Sequence, residues 1–501
     1  MFSKVLIANR GEIALRCVRA CRELGVRVAV AYAPVDRSSL AVRLADEAVP
    51  LEGPTPRQAY LNIAGIVAAA ERCGAEAVHP GYGFLAENAA FARACQAAGL
   101  TFIGPTPEAI ESLGDKNRAR DLMAWAGLPV VPGTQFPMQD AGAAAEAAEH
   151  IGYPVLLKAA GGGGGRGMRL AADESQLRSR FPQARSEALA AFGSPAIYLE
   201  KYIARPRHVE IQILGDTHGN VVHLFERECS IQRRFQKMIE EAPSPALDPE
   251  LRQAMGEAAV AGARQVGYTG AGTFEFLLDE ERNFYFLEVN TRLQVEHPVT
   301  EEIAGIDIVK AQLRIAAGEP LGFRQEDLAI RGWSIECRIT CEDPERQFAP
   351  VPSTVGEVRF PAGPGIRVDT HLYSGYSVPV DFDSLVAKLV ATGRDRDEAR
   401  RRMLAALEEF RIAGLRTTIP FHREVMRHPE FRAGHLSTHF VEEHPELVRF
   451  HDDEESRRLM ALAAALESRA LGFSAGRRET VEAELWKMAG RADALGTRLR
   501  L

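Results

Sequence analysis

Cysteine is scarce: seven in 501 residues cannot staple a chain of this length. The spacings Cys17-x3-Cys21 and Cys337-x3-Cys341 have no histidine or second cysteine pair beside them in sequence, so they read as small buried thiols rather than metal ligands. A reducing compartment, the cytoplasm, is the default expectation. No stretch reaches the roughly 18 apolar residues of a membrane span. The apolar part of MFSKVLIANR is too short for a signal peptide. Positive charge is in deficit, with 60 Lys and Arg against 68 Asp and Glu and a net charge of −8. The chain therefore has no bulk attraction for nucleic acid or anionic membranes, and any basic site must be local. Internal repeats and long low-complexity linkers are absent too. What remains is ordinary globular composition, 46% hydrophobic and 26% charged. A chain this long can bury about three quarters of its surface and has the length of about three domains.

The pattern along the chain divides it. Residues 1–114 alternate short apolar runs (4–9, 26–32, 75–79, 101–103) with helical spacing (12–24, 61–73, 88–98), the signature of a parallel α/β domain. Residues 115–330 change to α+β: a helix at 115–126, strands at 155–159, 196–202, 207–214 and 220–226, a helix at 249–266, then strands at 271–279 and 283–290. Residues 331–446 form a third unit, strand-rich first and helical at 395–410. The tail, 447–501, predicts two helices, 452–471 and 478–489, with Gly490 as a stop.

Five segments carry chemistry. Lys158 closes an apolar strand and is followed by the five glycines Gly161 to Gly165, whose peptide N–H groups can close on phosphate oxygens. The loop is neither a Walker A nor a Rossmann sequence, and a flexible linker is the alternative. Glu275 and Glu288 flank a polar stretch, 279–283, that reads as a hairpin turn. A turn centred between Glu281 and Arg282 sets the two acids opposite each other, which is unfavourable unless a cation bridges them. Asn290 shares the face of Glu288, and two carboxylates with an amide oxygen suit Mg²⁺ bound with nucleotide phosphates; a solvated sheet face is the alternative. In 290–298, Arg292 can hold a small oxyanion and Glu296 can act as a general base, or the two can form a structural ion pair. The run 226–237 interleaves basic and polar residues and ends on Lys237; the acidic balance of the chain speaks against a nucleic-acid patch there. Finally, HPGYGFLAEN follows a strand, where ligands sit in open α/β sheets, although a tight turn with Asn88 as a helix cap explains it equally.

Taken together, IANRGEIALR, HPGYGFLAEN, IGPTPEAIESLGDK, KAAGGGGGRGMR, EKYIARPRHVEIQ, ERECSIQRRFQK, GAGTFEF, EVNTRLQVEHPVTE and IECRITCEDP, in this order over residues 1 to about 440, resemble biotin carboxylase, the ATP-grasp component of biotin-dependent carboxylases. The resemblance implies that ATP phosphorylates bicarbonate to carboxyphosphate, and that the carboxyl group passes to biotin on a carrier protein. It implies that Lys116 and Lys158 neutralise ATP phosphates under the backbone of Gly164 and Gly165. Glu200, Lys201 and Ile203 would line the adenine pocket, partly through main chain, with His208 and Gln232 at the ribose. Lys237 would meet the γ-phosphate and bicarbonate, while Glu275 and Glu288, with Asn290 adjacent, would hold Mg²⁺ or Mn²⁺. Arg292 and the backbone at Gln294 and Val295 would hold bicarbonate, Glu296 would deprotonate it, and Arg338 would stabilise the enolate of biotin. Labile carboxyphosphate requires a lid, placed at about residues 131–203.

One departure is Phe235, where many members of the family carry histidine; it would lie near the ribose. Another is the extension beyond about residue 446. A biotin-bearing lysine between methionines in a small β domain is missing, and Lys487 sits in a helical pattern instead. The chain also has no room for a carboxyltransferase. A separate carrier and transferase are therefore implied as partners, and family members often form homodimers. The tail favours an acyl-CoA carboxylase such as one for acetyl- or propionyl-CoA, with pyruvate or another 2-oxo acid as the alternative acceptor. The more distant readings are another ATP-grasp ligase and a non-catalytic nucleotide-binding subunit.

Overall fold

The strand Arg207–Gly215 alternates strictly: Val209, Ile211 and Ile213 point to one side, and His208, Glu210 and Gln212 to the other. All six are buried, so the strand has an apolar core on one face and an enclosed polar site on the other. Its neighbours repeat the division. In Gly270–Leu278, Phe274 and Phe276 enter the core while Thr273 and Glu275 stand on the polar face. In Phe284–Asn290, Phe286 and Val289 are core residues. With Val221–Arg233 and Gln236–Ala242 these strands run antiparallel in the order 284–290, 270–278, 207–215, 221–233, 236–242. Helices Lys116–Trp125 and Pro249–Gln265 supply Met123, Met255, Ala259 and Ala263 to the apolar side. Each large side chain buried there is worth about 1.5–3 kcal/mol. Asp115 and Asp248 cap the two helices, accepting from Asn117 and Arg118 N–H and from Leu251 N–H respectively.

This computed structural model describes residues 1–159 and 167–449, with 458, 461 and 462. The glycine loop, with the expected phosphate-binding Gly164 and Gly165, lies outside the described residues, as does nearly all of the expected helical tail. No helix among the described residues is long and apolar enough to cross a membrane.

The described chain divides into two compact units. The first comprises Tyr82–Ser334 and Gly434–Glu443. Besides the sheet above, it holds a small antiparallel sheet in the order Met168–Ala171, Val155–Ala159, Ile197–Lys201. Helices Ala141–Ile151 and Glu174–Phe192 cover it and give it a separate core around Leu157, Leu177, Phe181 and Leu199. Neither helix is visible as an apolar stripe in the sequence. The first buries only alanines, and the second contains Pro182, ordinarily a helix breaker.

The second unit comprises Phe2–Gly81, Ile335–Ala433 and the chain from His444. Its parallel strands follow the order Glu47–Pro50, Arg27–Tyr32, Lys4–Ile7, Ala77–His79. Helix Gly11–Glu23 buries Ile13, Cys17, Val18 and Cys21. Strands Ile366–Thr370 and Leu385–Gly393 pair antiparallel, with helix Arg396–Glu409 following. All seven cysteines are buried, as expected. Cys17 does have a histidine near it in space: His79 Nδ1 lies 3.6 Å from its sulfur, from a strand 62 residues away.

Two local expectations need correction. The segment 226–237 is a hairpin: strand Val221–Arg233 runs beyond the expected 220–226, and the strand Gln236–Ala242 was not foreseen. Its two-residue turn, Arg234-Phe235, has φ of +50° and +63°, the backbone of a type I′ turn, which usually advertises itself by Asn-Gly. The hairpin 270–290 is centred on Glu281 rather than between Glu281 and Arg282, since Phe276 pairs with Phe286 and Leu278 with Phe284. A bulge then inserts Leu287, and the register beyond it sets Glu275 opposite Glu288 after all.

Candidate active site

The register of the larger sheet aligns charge across four strands: Arg227 opposite Glu210, Glu210 opposite Glu275, Glu275 opposite Glu288. Three adjacent carboxylates would repel. Cations hold them. Arg227 is wholly buried and donates to Glu210, Gln212 Oε1 at 2.7 Å, Thr300 Oγ1 at 2.9 Å and Thr273 Oγ1 at 3.0 Å. Lys237 reaches Glu210 at 2.5 Å and both Glu275 and Glu296 at 2.8 Å. Lys116, the first residue of its helix, pairs with Glu288 at 2.7 Å.

Burial alone would weaken the charge on Lys237, but Glu210, Glu275 and Glu296 more than offset it and hold its pKa well above the ordinary lysine value. For Glu275, likewise, burial pushes the pKa up, but Lys237 and His208 push it further down, to well below the usual carboxylate range. His208 Nε2 lies 3.0 Å from Glu275 Oε2. Glu275 Oε1 also accepts from Asn290 Nδ2 at 2.8 Å and Gln294 Nε2 at 3.2 Å.

The segment after Asn290 leads into helix His297–Ala304 and places four expected residues together. Arg292 donates to Gln294 Oε1 at 2.8 Å and Asn290 Oδ1 at 3.1 Å. Its Nε donates to Glu87 Oε2 at 2.8 Å, while Glu87 Oε1 accepts from Thr291 N–H. Burial opposes the Arg292 charge; Glu87, Glu296 and Glu275 outweigh it and raise its pKa. Gln294 and half-buried Val295 lie just ahead of the helix, where peptide N–H groups and the helix dipole favour an anion. Glu296 occupies the N-cap position and is fully buried against Lys237.

In the smaller sheet, Lys158 Nζ donates to Glu200 Oε2 at 2.6 Å, and Arg120 stands 3.6 Å from the other oxygen. The Lys201 ammonium is spent on the carbonyls of Gly152 and Tyr153, both at 2.9 Å, so its side chain serves the fold. Ile203 is half-buried in the loop that follows. Gln232 is buried and pairs across the hairpin with Lys237, whereas Phe235 is 64% exposed on the turn. Arg338 belongs to the second unit, on strand Trp333–Thr340; its carbonyl accepts from His422 Nε2 at 2.7 Å and Thr418 Oγ1 at 3.2 Å.

Sequence reasoning passed over Glu87, Glu210 and Arg227. Glu210 had a signal, the period-two polar series His208, Glu210, Gln212. Glu87 did not, because its partner is 205 residues away. In HPGYGFLAEN the structure shows the tight turn with its cap: Asn88 caps helix Ala89–Ala97 through Phe91 N–H, and the turn at Gly83, with φ of +69°, leads the chain round to Glu87.

The donor set fits Mg²⁺ or Mn²⁺: hard carboxylate oxygens of Glu275 and Glu288, gathered on one face and already compensated by cations. Asn290 is adjacent, with its amide nitrogen toward Glu275 and its oxygen toward Arg292. Replacing Glu288 by Gln is expected to raise the Mg²⁺ concentration needed for half-maximal ATP hydrolysis by about tenfold or more. An unchanged Mg²⁺ dependence would remove Glu288 from the metal site.

An acid row under lysines, with a small sheet whose connecting loop carries five glycines, fits the ATP-dependent ligases of the ATP-grasp class that the sequence resembles. Family models match residues 1–110 (biotin carboxylase, N-terminal domain), 115–324 (carbamoyl-phosphate synthase L chain, ATP binding domain) and 336–443 (biotin carboxylase C-terminal domain). A pyruvate carboxylase subunit of Methanothermobacter thermautotrophicus is 52% identical over 444 residues, covering 89% of this chain and 90% of that one. A biotin carboxylase of Nostoc sp. is 53% identical over 442 residues, 88% of this chain and 99% of that one. The crystal structure of the biotin carboxylase domain dimer of Hydrogenobacter thermophilus 2-oxoglutarate carboxylase, in complex with MgADP, ADP and bicarbonate, matches 90% of this chain and 100% of its own, with 50% identity and a TM-score of 0.84. The chain belongs to the biotin carboxylase family, ATP-dependent ligases that carboxylate biotin.

Proposed function

We propose that this chain carboxylates biotin on a separate carrier protein, as the first half-reaction of an acyl-CoA carboxylase with acetyl- or propionyl-CoA as final acceptor. The observation that carries the half-reaction is the cluster in which Lys237 joins Glu296 to Glu210 and Glu275, close in sequence to the half-buried Arg292. Arg292 and the peptide groups of Gln294 and Val295 hold bicarbonate. Glu296 takes its proton, and the freed oxyanion attacks the γ-phosphorus of ATP, expelling ADP and forming carboxyphosphate. Lys116, Lys158 and Lys237 neutralise the phosphates, with Gly164 and Gly165 closing over them; Glu200, Lys201 and Ile203 take the adenine, and His208, Gln232 and Phe235 face the ribose. A divalent cation on Glu275 and Glu288 adds charge neutralisation at the phosphates. Positioning and charge compensation are what phosphoryl transfer demands. Arg338 stabilises the enolate of the biotin ureido group, making its nitrogen the nucleophile.

This reading divides the chain into an N-terminal domain, 1–114, an ATP-grasp domain, 115–330, with residues 131–203 as its lid, a C-terminal domain, 331–446, and an extension. The separate core of the small sheet suits a body that closes over labile carboxyphosphate. A carboxyltransferase, the carrier and a second copy of the chain are the partners, and seven buried cysteines suit the cytoplasm. The extension past residue 446 offers an acyl-CoA transferase a docking segment. The names of the relatives favour a second reading, a 2-oxo acid as acceptor.

The test is bicarbonate-dependent ATP hydrolysis by the purified chain with Mg²⁺, with and without free biotin. Stimulation by biotin is expected in the wild type. Arg338→Ala is expected to keep the bicarbonate-dependent basal rate and lose the stimulation, because Arg338 acts only after carboxyphosphate has formed. Stimulation that survives Arg338→Ala would remove that residue from the mechanism, and hydrolysis indifferent to bicarbonate would overturn the half-reaction. Pairing the chain with purified acyl-CoA and 2-oxo acid transferases then separates the acceptors.

A further inference from the structure

Far along the chain from the carboxylate row, in the second unit, two imidazoles and a carboxylate converge. Helix Ile419–Arg427 ends at His428. His444 and Glu446 belong to the turn at Pro445–Val448, with His444 at its N-cap position. His428 Nε2 lies 3.2 Å from Glu446 Oε1, and His444 Nδ1 lies 3.1 Å from the same oxygen. The centroids of the two rings are 4.2 Å apart and their planes are inclined at 53°. One donor atom from each of the three residues falls within 4.8 Å of the others. The placement is built rather than incidental. Leu447, between the acid and the end of the turn, is 2% exposed, and Phe431, just past His428, is fully buried, so the backbone on both sides of the cluster is anchored.

We propose that His428, His444 and Glu446 form a binding site for a divalent transition-metal ion of the zinc class, distinct from the Mg²⁺ site. Neighbouring donors around tetrahedral zinc stand about 3.3 Å apart, given bonds of about 2.0–2.1 Å. The two observed nitrogen–oxygen separations match that edge, and the nitrogen–nitrogen separation, within 4.8 Å, is the one that closes when an ion replaces the hydrogen-bonding protons. Imidazole nitrogens select zinc, copper, nickel or cobalt, whereas Mg²⁺ prefers oxygen donors throughout. Glu446 is the most exposed of the three, and its side solvates the ion, leaving the remaining position to water. Bound metal ties the turn His444–Val448 to the end of helix Ile419–Arg427.

The experiment is calorimetric titration of the full chain with Zn²⁺ after removal of metals with chelator, in excess Mg²⁺. One equivalent is expected to bind in the wild type. The variant His428→Asn/His444→Asn is expected to lose that equivalent. Glu446→Gln, a conservative change at an exposed position, is expected to weaken it by about tenfold or more. The zinc-dependent rise in thermal midpoint should disappear with it. Basal bicarbonate-dependent ATP hydrolysis without zinc should be unchanged in all variants, which shows that they fold. A full equivalent retained by the double variant overturns the proposal and locates zinc elsewhere, with the buried set His208, Glu210 and Glu275 as the alternative. Failure of the wild type to bind an equivalent in the presence of Mg²⁺ overturns it as well.

Discussion

Glu296→Gln is expected to lower the rate of biotin carboxylation by about two to four orders of magnitude, the range for removing a positioned general base, while the chain stays folded and still binds ATP. The structure separates these effects. Glu296 is fully buried, so the isosteric amide fills the same space and leaves no cavity. Lys237 loses one of three partners but keeps Glu210 and Glu275, so the ammonium remains paired. The N-cap position is also preserved, because no side-chain bond from Glu296 caps the helix. What the amide cannot do is accept the proton of bicarbonate. Initial rates of carboxylation, set beside nucleotide affinity by titration and the thermal midpoint, read the three properties independently. Near-normal carboxylation in Glu296→Gln would exclude the residue as the base. A collapse of nucleotide affinity would instead make it a support of the Lys237 cluster.

The same cluster shows what could be read from the sequence. Alternation and turn residues gave the strands 207–215, 270–278 and 284–290 to within a residue or two, and with them the faces that carry His208, Glu275, Glu288 and Asn290. The opposition of Glu275 and Glu288 was legible, although it depends on a bulge at Leu287 that no local pattern announced. Illegible was what lies across strands distant in sequence. The pairing of Arg227 with Glu210 is set by the register of two long strands, and the Glu87–Arg292 pair joins a turn to a segment 205 residues later. Composition hid the small sheet's helices, since alanine burial leaves no apolar stripe and Pro182 argues for a break. The Phe235 turn was hidden for the opposite reason: its positive φ is unfavourable for a bulky side chain, so only the flanking strands, Val221–Arg233 and Gln236–Ala242, make it a turn. Family resemblance supplied roles for side chains; it did not supply the charge compensation that lets three carboxylates share one face.

That compensation makes Lys237→Met the most damaging single change expected. It abolishes carboxylation and also destabilises the fold, by about 3–5 kcal/mol, the cost of breaking a buried ion pair from one side. The pH dependence identifies the cause. In the wild type, Glu275 has a folded pKa well below the ordinary carboxylate value, held there against burial by Lys237 and His208. Its contribution to stability is therefore present above the unfolded pKa of about 4.3 and lost only as pH falls toward the folded value. In Lys237→Met the principal opposing charge is gone, and His208 alone is left to offset burial and the adjoining Glu210 and Glu288. The buried Glu275 then titrates above the unfolded value, the native state holds more protons than the unfolded chain, and stability falls as pH rises from about 4.3 toward neutrality. Wild type and variant should thus move in opposite directions over the acidic range: the variant's thermal midpoint recovers on acidification to about pH 5, where the wild type gains nothing. Lys237→Arg keeps the charge and should keep most of the stability, yet its planar fork cannot meet three carboxylates converging on one ammonium, so carboxylation should remain impaired. A Lys237→Met variant with the wild-type pH profile would mean that the three carboxylates are held apart by something other than that ammonium, and the charge-row account of the site would fail with it.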